Sequence, residues 1–465
     1  MTIVIVGAGK TGYALAQKLL EEGKEVILIE KDAERALYAD NNLDAQVIVE
    51  HGNNIDVLKK AGVAKADFFI ALTDSDEINM ITCALVSREF EHPVTIARVR
   101  NNDYAQTSIG SGKSFGIDHV INPEEELAKN IIHAIDNGAR SQIMTFDSAP
   151  FQIRDIDVGE DSVFKDKRVE EMRPVFGETF SVVCIFREND YIIPSGKSLI
   201  KQGDQLYLLS TEEGFEKIFS MEGLRNREIK SVLLVGGGKT GVYVADTLLH
   251  HEESKLLFPM RNPKKHKKPS IHIVEEDFER CTYLSNRYPE VIVSNVDISN
   301  EGFFEDENLS SFDLMISLTG SPELNIMTGV YGKSLGVKRI MAVVKKNNYR
   351  RICSALDVDV VISKMNSVVS SIVKLVRKGD VRRVYSFADS DIEATELSID
   401  ENSVAVGVPI KDLKLPSDVL ILFISRNGES FIPLGLDSFQ PGDLVAIITA
   451  KKTQKILEKL MAAKR

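Results

Sequence analysis

One short pattern occurs twice and constrains everything else in the chain. It reads Ile3-Val-Ile-Val-Gly7-Ala8-Gly9-Lys10-Thr11-Gly12 near the start and Val232-Leu-Leu-Val-Gly236-Gly-Gly238-Lys239-Thr240-Gly241 near the middle. An unbroken apolar run of four suits a strand buried on both faces. The G-x-G-x-x-G that follows, and the amphipathic stretch after it, predict strand, tight turn and helix in that order. The first glycine permits the turn and the second lets a pyrophosphate approach the backbone. The third lets helix pack on strand, so that free N–H groups at the helix start meet the phosphates.

The next strand, Glu25-Val-Ile-Leu-Ile29, ends in Glu30 with Lys31 beside it. Glu30 lies 18 residues past Gly12, close to the spacing at which a carboxylate accepts from a ribose 2′-OH. Such an acid disfavours a 2′-phosphate. Further strands are expected at Gln46–Val49, Phe68–Leu72, Val94–Arg98 and His119–Ile121, with helical stretches between them. Alternation of this kind implies a parallel sheet covered on both faces, with its ligand outside the carboxyl ends of the strands. Gly52 and Asn53 after the third strand, Thr73 and Asp74 after the fourth, and Arg98 in the fifth are therefore candidates. Arg98 could meet a phosphate or a surface carboxylate; both readings stay open.

After Gly138 the pattern changes to β-rich pieces, Val182–Phe186, Tyr191–Ile193 and Leu206–Leu209, joined by polar turns that hold no catalytic grouping. The plan then repeats. Gly236, Gly238 and Gly241 are each 229 beyond Gly7, Gly9 and Gly12, while Glu275 is 245 beyond Glu30 and Asn325 is 246 beyond Asn79. Ile192-Ile-Pro-Ser-Gly196 likewise matches Phe431-Ile-Pro-Leu-Gly435. The expectation is a tandem duplication of an α/β unit, with Rossmann-like doubly wound parallel-sheet domains each followed by a small α+β domain. The divisions fall at 1–138, 139–225, 228–378 and 379–465.

The jump in offset locates a 16-residue insertion before the second acidic strand, containing the basic run Arg261-Asn-Pro-Lys-Lys-His-Lys-Lys268. It belongs at the amino ends of the strands, opposite the crevice, and reads as a solvated loop before an anionic-lipid or acidic-partner contact. Aligning Val47-Ile-Val49 with Val291-Ile-Val293 places Gly52-Asn53 opposite Val296-Asp297. The bulkier second turn is expected to bind less tightly or to hold a different ligand.

At 465 residues, with 43% hydrophobic and 27% charged residues, the chain is expected to be soluble and multidomain. No run approaches the ~20 apolar residues of a spanning helix. The start lacks a secretory-signal pattern, so a cytoplasmic location is expected. A net charge of -12 argues against broad nucleic-acid binding. Cys83, Cys184, Cys281 and Cys353 form no C-x-x-C pair and read as buried thiols in a reducing compartment.

The glycine turn, the acid, Ala71-Leu-Thr-Asp74 followed by Glu77-Ile-Asn79, and Val120-Ile-Asn-Pro-Glu124 together resemble the regulator-of-potassium-conductance, or RCK/KTN, family. The β-rich units resemble its C-terminal partner domain. The match is looser in the second half, where Thr319-Gly-Ser-Pro-Glu323 and Val361-Ile-Ser-Lys364 replace Thr73-Asp-Ser-Asp-Glu77 and Val120-Ile-Asn-Pro123.

The resemblance implies a non-enzymatic regulatory subunit that binds NAD(H) or ATP/ADP. It implies assembly into a homo-oligomeric ring, a tetramer of tandem units, attached to the cytoplasmic face of a TrkH-type potassium-translocating membrane subunit. Gly7, Ala8, Gly9, Lys10, Thr11 and Gly12 would cradle phosphates and Glu30, with Lys31 beside it, would hold ribose. Gly52, Asn53 and Thr73 would line the adenine side, and Arg98 would approach the terminal phosphate. The repeat adds Gly236, Gly238, Lys239, Thr240, Gly241, Glu275, Asp297 and Thr319. The resemblance also implies a cation ligand at the subunit contact for Glu124, as in some related gating rings, a role without a counterpart in the second half.

An NAD-dependent oxidoreductase is the main rival, since the same fold carries hydride transfer. None of the eleven tyrosines has a lysine four residues later, and the scattered histidines suggest no proton relay. A P-loop ATPase fails because Val4 and Leu233 stand where the leading glycine is required, inside buried strands.

Overall fold

The computed structural model describes residues 1–101, 103–104, 115–136, 144–146, 148–188, 190–222, 229–249, 268–300, 308–345, 352–353, 356–377, 383–386, 392–416, 418–450 and 453. The chain forms two units: residues 1–140 with 228–378, and residues 141–227 with 379–465. Most of the basic run at 261–268 lies outside the described residues.

In the first unit, Thr2–Val6 (β1), Glu25–Glu30 (β2), Gln46–Val49 (β3), Phe68–Ala71 (β4), Val94–Arg98 (β5) and His119–Ile121 (β6) form a parallel sheet in the order 3-2-1-4-5-6. The reversal of order beside β1 creates the crevice in which such sheets hold ligands. Lys10–Glu21 (α1), Ala33–Asn42 (α2), Asp76–Glu89 (α3) and Pro123–Asp136 (α4) are its main helices. Asp32 and Ser75 cap two of them through their side chains.

The repeat has the same strand order, built from Ser231–Val235, Ser270–Glu275, Ile292–Asn295, Leu314–Ser317, Ile340–Val344 and Val360–Ser363. Its helices include Lys239–Leu249 (α5), Phe278–Arg287 (α6), Pro322–Ser334 (α7) and Lys364–Arg377 (α8).

The last helix of each half covers the other half's sheet. Leu127, Ala128, Ile131 and Ile132 of α4 are buried with Val232, Leu234, Val244 and Leu314. Reciprocally, Val368, Val369, Ile372, Val373 and Val376 of α8 are buried with Ile3, Ile5, Leu15 and Ile96. Each helix is amphipathic and follows a short strand, and its apolar stripe is buried against the other half's sheet. The two halves thus share their cores.

The second unit pairs two antiparallel five-stranded sheets. One contains Met144–Thr145, Phe151–Asp157, Ser181–Arg187, Asp190–Ile192 and Gln205–Thr211; the other contains Arg383–Ser386, Ile392–Ser398, Val419–Arg426, Glu429–Phe431 and Leu444–Ala450. Phe146, Phe151, Cys184 and Leu209 pack on Ala394, Leu422, Phe423 and Ile448. In each sheet a buried acid is gripped bidentately: Arg187 holds Asp204 at 2.6 Å twice, and Arg426 holds Asp443 at 2.9 and 2.7 Å.

Candidate functional site

The first glycine turn is fixed by close approaches that only glycine allows. Gly7, at φ +102°, donates to Ile29 O at 2.8 Å, and a Cβ there would stand 3.1 Å from the backbone of Leu72 and Thr73. A Cβ on Gly12 would lie 1.9 Å from Gly7 O, so α1 sits directly on the turn. No side chain caps this helix, and its first backbone bond runs from Tyr13 N to Gly9 O at 2.9 Å. The amides of Lys10, Thr11 and Gly12 precede that bond and are left for a ligand, at the positive end of the helix dipole. The Lys10 side chain is exposed.

Glu30 ends β2 in a buried position, with Oε2 accepting from Ala8 N at 2.6 Å and Oε1 from Asp32 N at 3.0 Å. It therefore stiffens the glycine turn, a duty that the ribose reading did not include. Each oxygen keeps a second lone pair. Lys31 and Asn53 are exposed, and Gly52 is required because a Cβ there would meet Val6 Cγ1 at 2.2 Å.

At the end of β4, Thr73 is held by Asn79, whose Oδ1 accepts from Thr73 N at 2.8 Å and from its hydroxyl at 2.7 Å. Asn79 Nδ2 donates to Thr73 O and to Arg98 O, joining the ends of two strands. The Arg98 guanidinium is buried, donates through Nη2 to Thr73 O, and lies 3.3 Å from Asp74. Arg35 and Arg100 also reach Asp74, at 3.9 and 3.4 Å. Arg98 Nε has no partner. Burial, then repulsion from Arg100, lowers the Arg98 pKa below its ordinary value against the pull of Asp74 and Asp76. Of the two readings of Arg98, the structure shows the exposed carboxylate, and Nε remains a buried donor without a partner. Sequence reasoning missed Arg35 and Arg100, and gave Asn79 no role.

The second crevice keeps the frame and loses the buried guanidinium of Arg98. Gly236 donates to Val274 O, Glu275 accepts from Gly237 N at 2.7 Å and Asp277 N at 3.1 Å, and Asn325 grips Thr319 as Asn79 grips Thr73. Gly241 repeats Gly12, with a Cβ 2.4 Å from Gly236 O, whereas a Cβ on Gly238 would meet nothing. The carbonyl gripped by Asn325 belongs to Val343, so Val343 replaces Arg98. Arg280 Nε donates to Gly237 O at 2.8 Å, occupying the rim of the turn. Thr240 opens α5 beside Lys239.

Strand register corrects one comparison. Glu30 pairs with Val49, and Glu275 with Asn295. Gly52 therefore corresponds to Ile298 rather than Val296, and Asp297 is not the partner of Asn53. Asp297 instead accepts from Ser299 N and Oγ, closing its own turn. Ile298 is buried beside Val235 and Val274.

Glu124 is 2.9 Å from Lys364 Nζ, an ion pair between the halves. Lys364 stands where the first half has Pro123, so the departure from the repeat supplies the counter-ion. Among the described residues no three His, Cys, Asp or Glu side chains gather as a metal would require, and no helix is long and apolar enough to cross a membrane.

The TrkA-N domain family matches residues 3–123 and 232–364, and the TrkA-C domain family matches 394–462. The Trk system potassium uptake protein TrkA homolog 1 of Methanosarcina mazei is 27% identical over 465 residues, spanning 99% of both chains. TrkA of Halomonas elongata is 28% identical over 463 residues, 97% of this chain and 96% of its own. Among solved structures, the GsuK RCK domain shares 16% identity with a TM-score of 0.55, over 100% of this chain and 95% of that one. The GsuK channel bound to NAD shares 17% with a TM-score of 0.56, over 100% and 79%. These structural likenesses show the same fold. With two TrkA-N regions covering more than half of its length and a TrkA-C region after them, the chain belongs to the TrkA family of Trk-system potassium uptake proteins.

Proposed function

We propose that the chain is a nucleotide-binding regulatory subunit of potassium uptake, with its principal site in the first crevice. One observation carries this reading: unpaired α1 amides, the Glu30 carboxylate and the buried Arg98 guanidinium lie around the carboxyl ends of β1, β2 and β5. Helix amides suit phosphates, a carboxylate suits ribose hydroxyls, and a buried arginine suits a further anion. ATP, ADP and NAD(H) all present that combination. The NAD-bound state of a channel with the same fold supports the ligand class, and the names of the relatives support the process.

Assembly as a homo-oligomeric ring of tandem units on a TrkH-type membrane subunit then links ligand to transport. A nucleotide can shift the ring between two geometries only by its difference in affinity for them. The test is potassium flux through the reconstituted membrane partner with the full chain, with and without ATP and NADH. Flux should depend on nucleotide with the native chain and lose that dependence with Gly12→Val. Nucleotide-independent flux refutes the reading, and steady NADH oxidation with a small carbonyl substrate would favour the oxidoreductase instead.

A further inference from the structure

The lysine that follows the second glycine of the second turn reaches across to the other half. Lys239 is the first residue of α5, and its Nζ donates to the carbonyl of Arg100, 3.4 Å away in the first half. Arg100 belongs to the segment that completes the first crevice. Its guanidinium is 3.4 Å from Asp74, where Arg98 and Arg35 converge, and its amide and that of Asn101 donate to Asp76 Oδ2 at 2.8 and 2.9 Å. The same helix α5 is packed under α4 from the first half, and Tyr243 of α5 meets Asn122 at 3.4 Å. The repeat is not symmetric here. Arg100 corresponds to Lys345, whose carbonyl accepts from Ser363 within its own half.

We propose that Lys239 is a positioning residue for the first site and couples the two glycine turns, a proposal that rests on the nucleotide reading above. With its ammonium on the Arg100 carbonyl, Lys239 holds the segment that carries Arg98 and Arg100 and adds a positive charge beside it. A phosphate on the second turn draws that ammonium back over the start of α5, where the helix amides and dipole also bind anions. The first crevice then loses both the tether and the charge. Occupancy of the second turn therefore weakens anion binding at the first, and by reciprocity the first weakens the second by the same factor. An exposed bond of this length places the effect at the lower end of the usual coupling range, about five-fold in affinity.

The full chain carrying Gly241→Val closes the second turn, since its side chain would collide with Gly236 O. Calorimetric titration of that variant with ATP then reads the first site. Adding Lys239→Met should weaken ATP about five-fold, and Lys239→Arg should restore it; an unchanged affinity with Met overturns the proposal. A second measurement needs no nucleotide and no glycine variant. Amide exchange at Arg100 and Asn101 should be faster in Lys239→Met than in the native chain, and equal rates overturn the tether even if neither ATP nor NADH binds. In Gly12→Val, saturating NADH should accelerate the same two amides. A second turn that binds no NADH, or binds it without that change, overturns the coupling while leaving the first-site reading standing.

Discussion

Replacing Arg98 by methionine should weaken ligand binding and leave the fold as stable or more so. The side chain is 8% exposed, and its Nε has no partner. A buried unpaired donor costs about 1–3 kcal/mol, and exchanging a buried ion for an apolar side chain of similar volume is neutral to stabilising by ~1–4 kcal/mol. Little is orphaned in return. Thr73 O keeps Asn79 Nδ2 at 3.0 Å, and the exposed Asp74 keeps Arg35 and Arg100. The second half already carries Val343 at this place. Urea unfolding should give equal stability or a gain of roughly 1 kcal/mol. One charge-assisted bond is worth about 1.5–3 kcal/mol, so calorimetry should show ATP affinity falling by roughly 10- to 150-fold. A loss of stability above about 1 kcal/mol would make Arg98 a structural staple, contrary to the weighing of ion burial above. An unchanged ATP affinity would remove it from the site.

Three further outcomes follow from the fold. Ile131→Ala, in the helix that covers the second sheet, should cost about 2–5 kcal/mol in urea unfolding and expose amides of Val232–Val235 rather than those of Ile3–Val6; the opposite pattern contradicts the exchange of helices. Arg187→Met leaves the buried Asp204 without its cation and should cost ~3–5 kcal/mol, with Arg426→Met alike; a change below 1 kcal/mol in either would show the pair to be dispensable. Burial pushes the Asp313 carboxyl up, but Lys338 and the amides of Lys230 and Ser231 outweigh it and hold it below the usual range. Its stabilisation is therefore present above the unfolded pKa of about 4 and lost as pH falls through the lower folded value. Asp313→Asn should lower the melting temperature at pH 7 and converge with the native chain in acid; a pH-independent gap contradicts this.

The glycine turns, the acids at the strand ends and the doubling were legible because each has a local signature. The apolar runs at Ile3–Val6 and Val232–Val235 are strands for the reason the pattern suggested. Phe151–Asp157 is not legible as a strand because Asp155 falls where the alternation of Phe151 and Ile153 calls for an apolar residue, and Ile156 then changes phase. The exchange of α4 and α8 was not legible, since an amphipathic stripe says that a helix is covered but not by which sheet. The true offset at the third strand is hidden because Val47-Ile-Val49 matches Val291-Ile-Val293 in residue type, whereas pairing with Glu30 and Glu275 sets it against Val293-Ser-Asn295. The Arg98-to-Val343 replacement needed the same help, from the carbonyls that Asn79 and Asn325 hold. Lys364 breaks the repeat in sequence, and only its ion pair with Glu124 gives that departure a structural role.

The account rests on a working phosphate cradle in the first crevice. Calorimetry of the full chain with ATP and with NADH, repeated on Gly12→Val, tests this most directly. The native chain should bind at least one of them, and Gly12→Val, whose side chain would overlap Gly7 O and push α1 off the turn, should lose that first-half binding while keeping its folded circular-dichroism spectrum. Native-like affinity and stoichiometry in a folded Gly12→Val would contradict the central claim.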